Sequence, residues 1–187
     1  MFTTSIKTAT FFLLFFLGAS QTFTAQAQAI TGEEIKAQFV KDWERAKSYT
    51  LEYLNTMPAD KYSFKAVDSI RSFAQQMLHL ASGNAGLIGA ATGVKIQQWP
   101  AGRLENSTTA QTKDSVVYYV SRSYDFAIES LNAFDPGKFG EMVSQGNNKA
   151  SRYALFLKAF EHQTHHRGQT TIYIRLLGIR PPNERLF

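Results

Sequence analysis

Residues 154–182 read ALFLKAFEHQTHHRGQTTIYIRLLGIRPP, and this stretch indicates a long helix that packs against a protein core. At 100° per residue, His162 and His166 fall in the same arc as a run of apolar side chains. Both imidazoles are therefore expected on the core-facing stripe of the helix. Gly178 and the two prolines that follow it mark the end of the helix. The apolar members of the stripe are Leu155, Phe156, Ala159, Tyr173, Ile174 and Leu177.

The chain contains three further segments with a helical period of apolar residues. The first opens with Thr31 and Glu34 at capping-box spacing and stops before Pro58. No stretch of useful length alternates as a strand does, so the sequence predicts an all-α four-helix bundle. The other predicted helices run from about Asp68 to Thr92, from near Thr112 to Pro136, and from near Asn148 to Leu177.

The connection between the second and third helices is much longer than the other two. Residues 93–111 form this linker, whose 19 residues read GVKIQQWPAGRLENSTTAQ. Such a linker can span roughly 60 Å, whereas a helix of 24 residues is roughly 36 Å long. The chain can thus return to the end from which the second helix started, which leaves the second and third helices parallel.

The first 29 residues have the layout of a secretory signal peptide. Lys7 precedes an apolar run from Phe11 to Leu17, and small residues lead to a predicted cleavage after Ala29. The apolar run is shorter than the roughly 20 residues that span a bilayer, so we expect no stable membrane anchor after cleavage. The sequence therefore predicts a signal peptide at 1–29, one domain at 30–187, and a periplasmic or secreted protein.

Composition narrows the kinds of site and partner. The chain has no cysteine, so a metal site must use nitrogen and oxygen ligands and no disulfide stabilises the fold. The formal charge of +5 is spread along the chain without a dense basic block, and we therefore expect no nucleic-acid partner.

Three of the four histidines lie close together in the sequence, and two of them are placed to share an ion. His162 and His166 are four residues apart, which puts their Cβ atoms roughly 5 to 6 Å from each other on one helix face. Two buried imidazoles without a shared ion would need separate polar partners, because each buried polar group without a hydrogen bond costs about 1 to 3 kcal/mol. His165 points 60° further round the helix. We expect it at the surface, or in contact with a metal ligand without binding the metal itself.

His79 is the remaining nitrogen ligand that the sequence offers. It lies on the opposite side of the second helix from Met77, in a row with Gln76, Gly83 and Gly86. This row is either a solvated face or a seam of small residues against which another helix packs, with His79 aimed into the gap. Spacing alone leaves both interpretations open.

Two familiar metal sites do not match the residues present. A zinc protease of the HExxH kind needs a glutamate directly after the first histidine, where this chain has Gln163. A di-iron bundle needs inward-facing glutamates, and the segment around His79 has none. A mononuclear site with three imidazoles fits better.

QMLHLA around His79, the long linker, and HQTHHRGQTTIYIRLLGIRPP near the end resemble the DinB/YfiT-like superfamily of bacterial metal-binding proteins. The likeness covers nearly the whole chain after residue 29. It implies a four-helix bundle with up-down-down-up directions. It also implies one divalent ion, zinc or nickel, held by His79, His162 and His166. Relatives include thiol-dependent transferases and isomerases and proposed hydrolases, and the leader sets this chain apart from the largely cytoplasmic thiol-using relatives.

Two functional hypotheses follow from these observations. In the first, the ion has an open coordination position and the protein is a metal-dependent hydrolase or thiol-type transferase acting on an unknown small molecule. Gln76, Gln169 or Tyr173 would orient bound groups and Arg167 would meet an anionic substrate, although each also suits a packing or surface role. In the second, the ion is structural and the bundle is a binding or interaction module. Independently of either hypothesis, we expect the C-terminal tail, RPPNERLF, to pack across the bundle end or to assist a homodimer.

Overall fold

The computed structural model describes residues 29–187, which form four helices and one short hairpin. The predicted signal peptide, except Ala29, lies outside these residues. Within the described residues, no helix combines the length and apolar character that a membrane span requires. The elements are α1 (Gly32–Thr56), α2 (Phe73–Thr92), α3 (Lys113–Ala133), β1 (Met142–Gln145), β2 (Asn148–Ser151) and α4 (Arg152–Leu176).

Capping boxes fix the first residues of α1 and α2. The Thr31 side chain accepts from the Glu34 backbone N–H, and Glu34 accepts from the Thr31 N–H at 2.8 Å, as predicted. Ser72 and Gln75 make the same pair of bonds at the start of α2. The predicted start near Asp68 was therefore wrong, because the Ser72 box begins the helix at Phe73 and leaves residues 62–71 as irregular chain.

A hairpin between α3 and α4 replaces the helical start predicted near Asn148. β1 and β2 are antiparallel, with Met142 opposite Ser151 and Gln145 opposite Asn148. Gly146, at a φ of +58°, supplies the left-handed backbone that a two-residue turn needs. Ser151 then accepts from the Ala154 N–H as the N-cap of α4, so the helix begins at Arg152.

Contacts at both ends of two helix pairs show that each pair is antiparallel. Lys36 near the start of α1 donates to the Phe134 carbonyl after α3, and Lys113 at the start of α3 donates to the Met57 carbonyl after α1. Arg152 at the start of α4 likewise donates to a carbonyl near the end of α2, at Ala91. At the other end of this pair, the Tyr173 hydroxyl donates to the carbonyl that precedes α2, at Arg71.

α1 and α4 run in the same direction. Phe39 and Phe156, near the two helix starts, have ring centroids 5.9 Å apart. Near the other end, the hydroxyls of Tyr53 and Thr171 are 3.0 Å apart. Together with the antiparallel pairs, these contacts give the directions up, down, down and up for α1 to α4.

The linker of residues 93–111 packs on the bundle instead of extending into solvent. Leu104 and Ala110 are buried within two short 3-10 turns, Leu104–Asn106 and Thr108–Gln111. Gln111 donates to the Glu105 carbonyl at 3.0 Å and ties the two turns together. The linker thereby places the Glu105 side chain against α2.

Candidate metal centre

The rings of His79 on α2 and of His162 and His166 on α4 meet at one point between the two helices. Their ring centroids are 5.2 Å apart for His79 and His162, 4.6 Å for His79 and His166, and 4.4 Å for His162 and His166. One ring nitrogen from each residue lies within 4.8 Å of those from the other two. The three histidines could hold one metal ion.

A small residue on α2 makes this convergence possible. Gly83 lies one helical turn after His79, and a methyl group added to it would overlap the His162 ring. Because glycine has no side chain here, α4 approaches α2 closely enough for the His162 ring to reach His79. The row that contains Gln76 and Gly83 is thus a packing seam with His79 aimed into the gap, and the solvated-face interpretation was wrong.

The two imidazoles of α4 keep unused nitrogens in a buried setting. The Nδ1 atoms of His162 and His166 are buried and have no hydrogen-bond partner among the described residues. Burial, followed by the charges of neighbouring histidines, lowers the pKa of His162 to about 4 and the pKa of His166 to about 3. Both rings are therefore neutral at pH 7, which is the form that binds metal. These orphaned, neutral nitrogens fit a metal-binding role.

Glu105 in the linker fixes the orientation of the third imidazole. Its Oε1 lies 2.9 Å from His79 Nδ1, which leaves His79 Nε2 for an ion. Arg103 donates to the same oxygen, and the Glu105 side chain is only 5% exposed. Burial acts to raise the pKa of this carboxyl, but hydrogen bonds from its backbone and from His79 outweigh it and leave the pKa below its usual value. No local pattern in the sequence predicts this role for Glu105.

A cleft of about 770 Å³ opens beside His166. His166 and Glu105 lie in its lining, whereas His79 and His162 do not, so the cleft meets the centre at the His166 ring. Its lining comes from the irregular chain before α2, the first turn of α2, the linker and α4. Side chains from the three parts include Lys65, Asp68, Arg71, Arg103, His165, Gln169, Ile172 and Tyr173.

Some residues considered from the sequence line this cleft. Gln76, Gln169 and Tyr173 do so, although the Tyr173 hydroxyl is already bonded to the Arg71 carbonyl. His165 is exposed and shares a hydrogen bond with Gln169 at 3.0 Å, in agreement with a surface position.

Arg167 faces the opposite side of α4, away from the cleft. It is 6% exposed, stacks 4.6 Å from the Tyr49 ring centroid and donates to Gln163 at 2.9 Å. Gln163 also accepts from the Tyr124 hydroxyl at 2.8 Å. Of the two roles considered for Arg167, packing is the one observed, because this network holds it in the core against α1 and α3 and it does not line the cleft.

The fold and the centre define a class: a four-helix bundle in which three histidines from α2 and α4 form a candidate metal site. A family model described as the DinB family matches residues 24–185. The chain belongs to the DinB family. A search of curated proteins found no match.

Solved structures share this fold at low sequence identity. A DinB-like protein from Bacillus cereus ATCC 10987 is 15% identical with a TM-score of 0.68, and the match covers 80% of this chain and 97% of that one. A DinB-like protein from Bacillus subtilis is 19% identical with a TM-score of 0.62, covering 80% and 96%. A conserved protein from Enterococcus faecalis is 17% identical with a TM-score of 0.60, covering 80% and 99%.

Removing the Glu105 carboxylate is expected to weaken metal binding without removing it. In the variant Glu105→Ala, His79 loses the acceptor that fixes its ring, and such losses cost about 10- to 100-fold in metal affinity. Zinc titration against a competing chelator measures the change. The matched control is Glu161→Ala, since Glu161 is an exposed acid next to His162 in the sequence. Equal affinities in the two variants would contradict the orienting role of Glu105.

The metal-free protein is expected to lose stability as the pH falls from about 6.5. The pKa values of His162 and His166 are about 4 and about 3 in the folded chain, below the ordinary value of 6.5. Between these values the unfolded chain binds protons that the folded chain does not, so acid favours unfolding. Urea unfolding at a series of pH values measures this slope. In a variant carrying His162→Gln and His166→Gln, the free energy of unfolding should depend less steeply on pH. An unchanged dependence would show that these two histidines are not its cause.

Proposed function

We propose that this protein is an exported metal-dependent enzyme of the DinB family, and that its reaction is a hydrolysis. One observation carries the proposal: three imidazoles meet at one point, and one of them, His166, lines a cleft that is open to solvent. Structural zinc sites are usually closed by four protein ligands, whereas catalytic sites have three and an open position. Among residues 29–187, no fourth metal-binding side chain joins the cluster.

In such a site, three residues would bind the ion and a fourth would orient one of them. His79, His162 and His166 would hold the ion as neutral ligands, and Glu105 would hold the His79 ring in position through its 2.9 Å contact. When bound, zinc or nickel would supply a Lewis acid that lowers the pKa of water or polarises a substrate. The linker and the chain before α2 would shield the substrate from bulk water.

A hydrolase is favoured over a thiol-type transferase by the predicted leader. The first 29 residues predict export, which would remove the protein from the cytoplasmic thiols that its thiol-using relatives require. N-terminal sequencing of the exported form would test the localisation, with a mature chain that begins at Ile30 as the expected result.

Activity should depend on the loaded metal. We expect metal analysis of the native protein to find about one zinc or nickel ion per chain. We expect a panel of esters and amides to reveal a hydrolysis that stops with chelator and returns with the ion. Thiol-transfer substrates in the same panel would reveal the transferase instead. Turnover that is unaffected by complete removal of metal would contradict the proposal.

The alternative is a structural ion in a non-catalytic binding or interaction module. The observation in its favour is that the histidines come from two helices, so an ion would join α2 to α4. A large fall in melting temperature with chelator, together with no turnover on the whole panel, would favour this role.

A further inference from the structure

The walls of the cleft carry an excess of positive charge. Three cations, Lys65, Arg71 and Arg103, line it against two carboxylates, Asp68 and Glu105. Arg103 and Glu105 already pair with each other at 3.1 Å. The charges that remain available to a ligand are therefore the two cations Lys65 and Arg71 and the exposed carboxylate of Asp68.

Arg71 is the cation best placed to hold a ligand. It is half-buried in the lining of the same cleft as His166. No salt bridge or side-chain hydrogen bond occupies its guanidinium within residues 29–187. By contrast, the half-buried arginines and lysines on α1 to α4 each have a partner of this kind, for example Arg45 with Asp42 and Lys47 with Asp125.

The backbone of Arg71 is held while its side chain is not. Its carbonyl accepts from the Tyr173 hydroxyl at 2.7 Å, and the next residue, Ser72, is fixed by the α2 capping box. The backbone from which the side chain extends is thus already ordered, so binding an anion would restrict the side chain without also having to order the backbone. A planar guanidinium suits a carboxylate, because it donates two parallel hydrogen bonds to the two oxygens.

Apolar side chains lie beside this cation in the cleft. Ile172 is 55% exposed and Ile70 is 37% exposed, and both line the cleft together with Tyr173. They offer a surface for an apolar body attached to the anion. From these contacts we propose that the cleft binds an organic carboxylate, with Arg71 holding the carboxylate and the apolar part lying against Ile70 and Ile172.

This inference rests on the proposed function in that it takes the cleft as the substrate site. The test is made by binding, without turnover, using phenylacetate and its neutral analogue phenylacetamide as probes. Calorimetry or NMR titration is done on the purified protein, both zinc-loaded and chelator-treated, so that the contribution of Arg71 is separated from that of the metal. We expect phenylacetate to bind about tenfold more tightly than the amide in both forms, the range of one charge-assisted contact.

The variant Arg71→Gln is expected to remove this preference, and Arg71→Lys is expected to restore part of it. The matched control is Arg175→Gln, which makes the same charge change at an exposed position of α4 outside the cleft lining. Equal affinity for acid and amide, no binding of either probe, or an unchanged preference in Arg71→Gln would each overturn the inference. If the protein does not bind zinc but still prefers phenylacetate in a way that depends on Arg71, this result would count against the proposed function alone.

Discussion

Replacing His162 with alanine is expected to abolish stoichiometric metal binding. The change removes one of three nitrogens that lie within 4.8 Å of one another and leaves only His79 and His166. Loss of a ligand should cost at least about 100-fold in affinity, since loss of a residue that merely orients a ligand already costs about 10- to 100-fold. Zinc titration with a competing chelator, followed by metal analysis after gel filtration, measures the loss.

The same helix provides a matched control for this experiment. His165→Ala removes an exposed imidazole whose hydrogen-bond partner is Gln169, and it leaves the three converging rings in place. We expect this variant to bind zinc as the parent does. Full metal content in His162→Ala, or an equal loss in His165→Ala, would show that the ion is held elsewhere.

Replacing Gly83 with alanine is expected to disrupt the metal centre, although residue 83 does not itself bind the metal. The added methyl group would overlap the His162 ring, so that the ring or the whole of α4 must move away from α2. Overpacking of this kind costs about 1 to 3 kcal/mol of stability. Because the displaced ring is itself a candidate ligand, zinc affinity should fall together with the free energy of unfolding.

Gly86 supplies the control for the glycine substitution. It lies on the same helix, one turn further on, and a methyl group there would meet nothing within 4 Å. Gly86→Ala should gain up to about 1 kcal/mol of stability from helix propensity and leave zinc affinity unchanged. If Gly83→Ala behaves like Gly86→Ala in both measurements, the close approach of the two helices is not needed for the site.

Local signals in the sequence were sufficient to predict the existence of the four helices and the buried position of His166, although not the starts of α2 and α4. The Thr31 capping box and the 3.6-residue period both arise from residues three or four positions apart in one helix. A local sequence pattern is therefore enough to predict them. The same period placed His166 on the buried stripe, and the structure confirms this with 6% exposure. The all-α bundle and its family were also predicted and are confirmed.

The parts that were missed depend on contacts between distant segments. Glu105 meets His79 across 26 positions of sequence, and an acid in a long linker carries no periodic signal. The predicted helix from Asp68 includes Arg71, whereas the Ser72 capping box starts α2 after this residue and leaves Arg71 in the cleft lining. Arg167 lies next to a candidate ligand in sequence, but a helix turns by 100° per residue and its neighbour faces another side.

The hairpin was missed for a different reason. Each of its strands has four residues, too few for an alternating pattern to be distinguished from chance. Its pairing depends on the turn at Gly146. Ser151 both ends the second strand and caps α4, so strand and helix are contiguous in the sequence. The predicted helix from near Asn148 therefore includes the residues of the strand.

X-ray absorption spectroscopy of the zinc-loaded protein tests most directly whether the three rings share one ion. The spectrum counts the imidazole groups bound to the metal and measures their distances. We predict three imidazole nitrogens at about 2.0 to 2.1 Å, with any remaining ligands being light atoms from solvent. A spectrum with one imidazole or none would contradict the central claim.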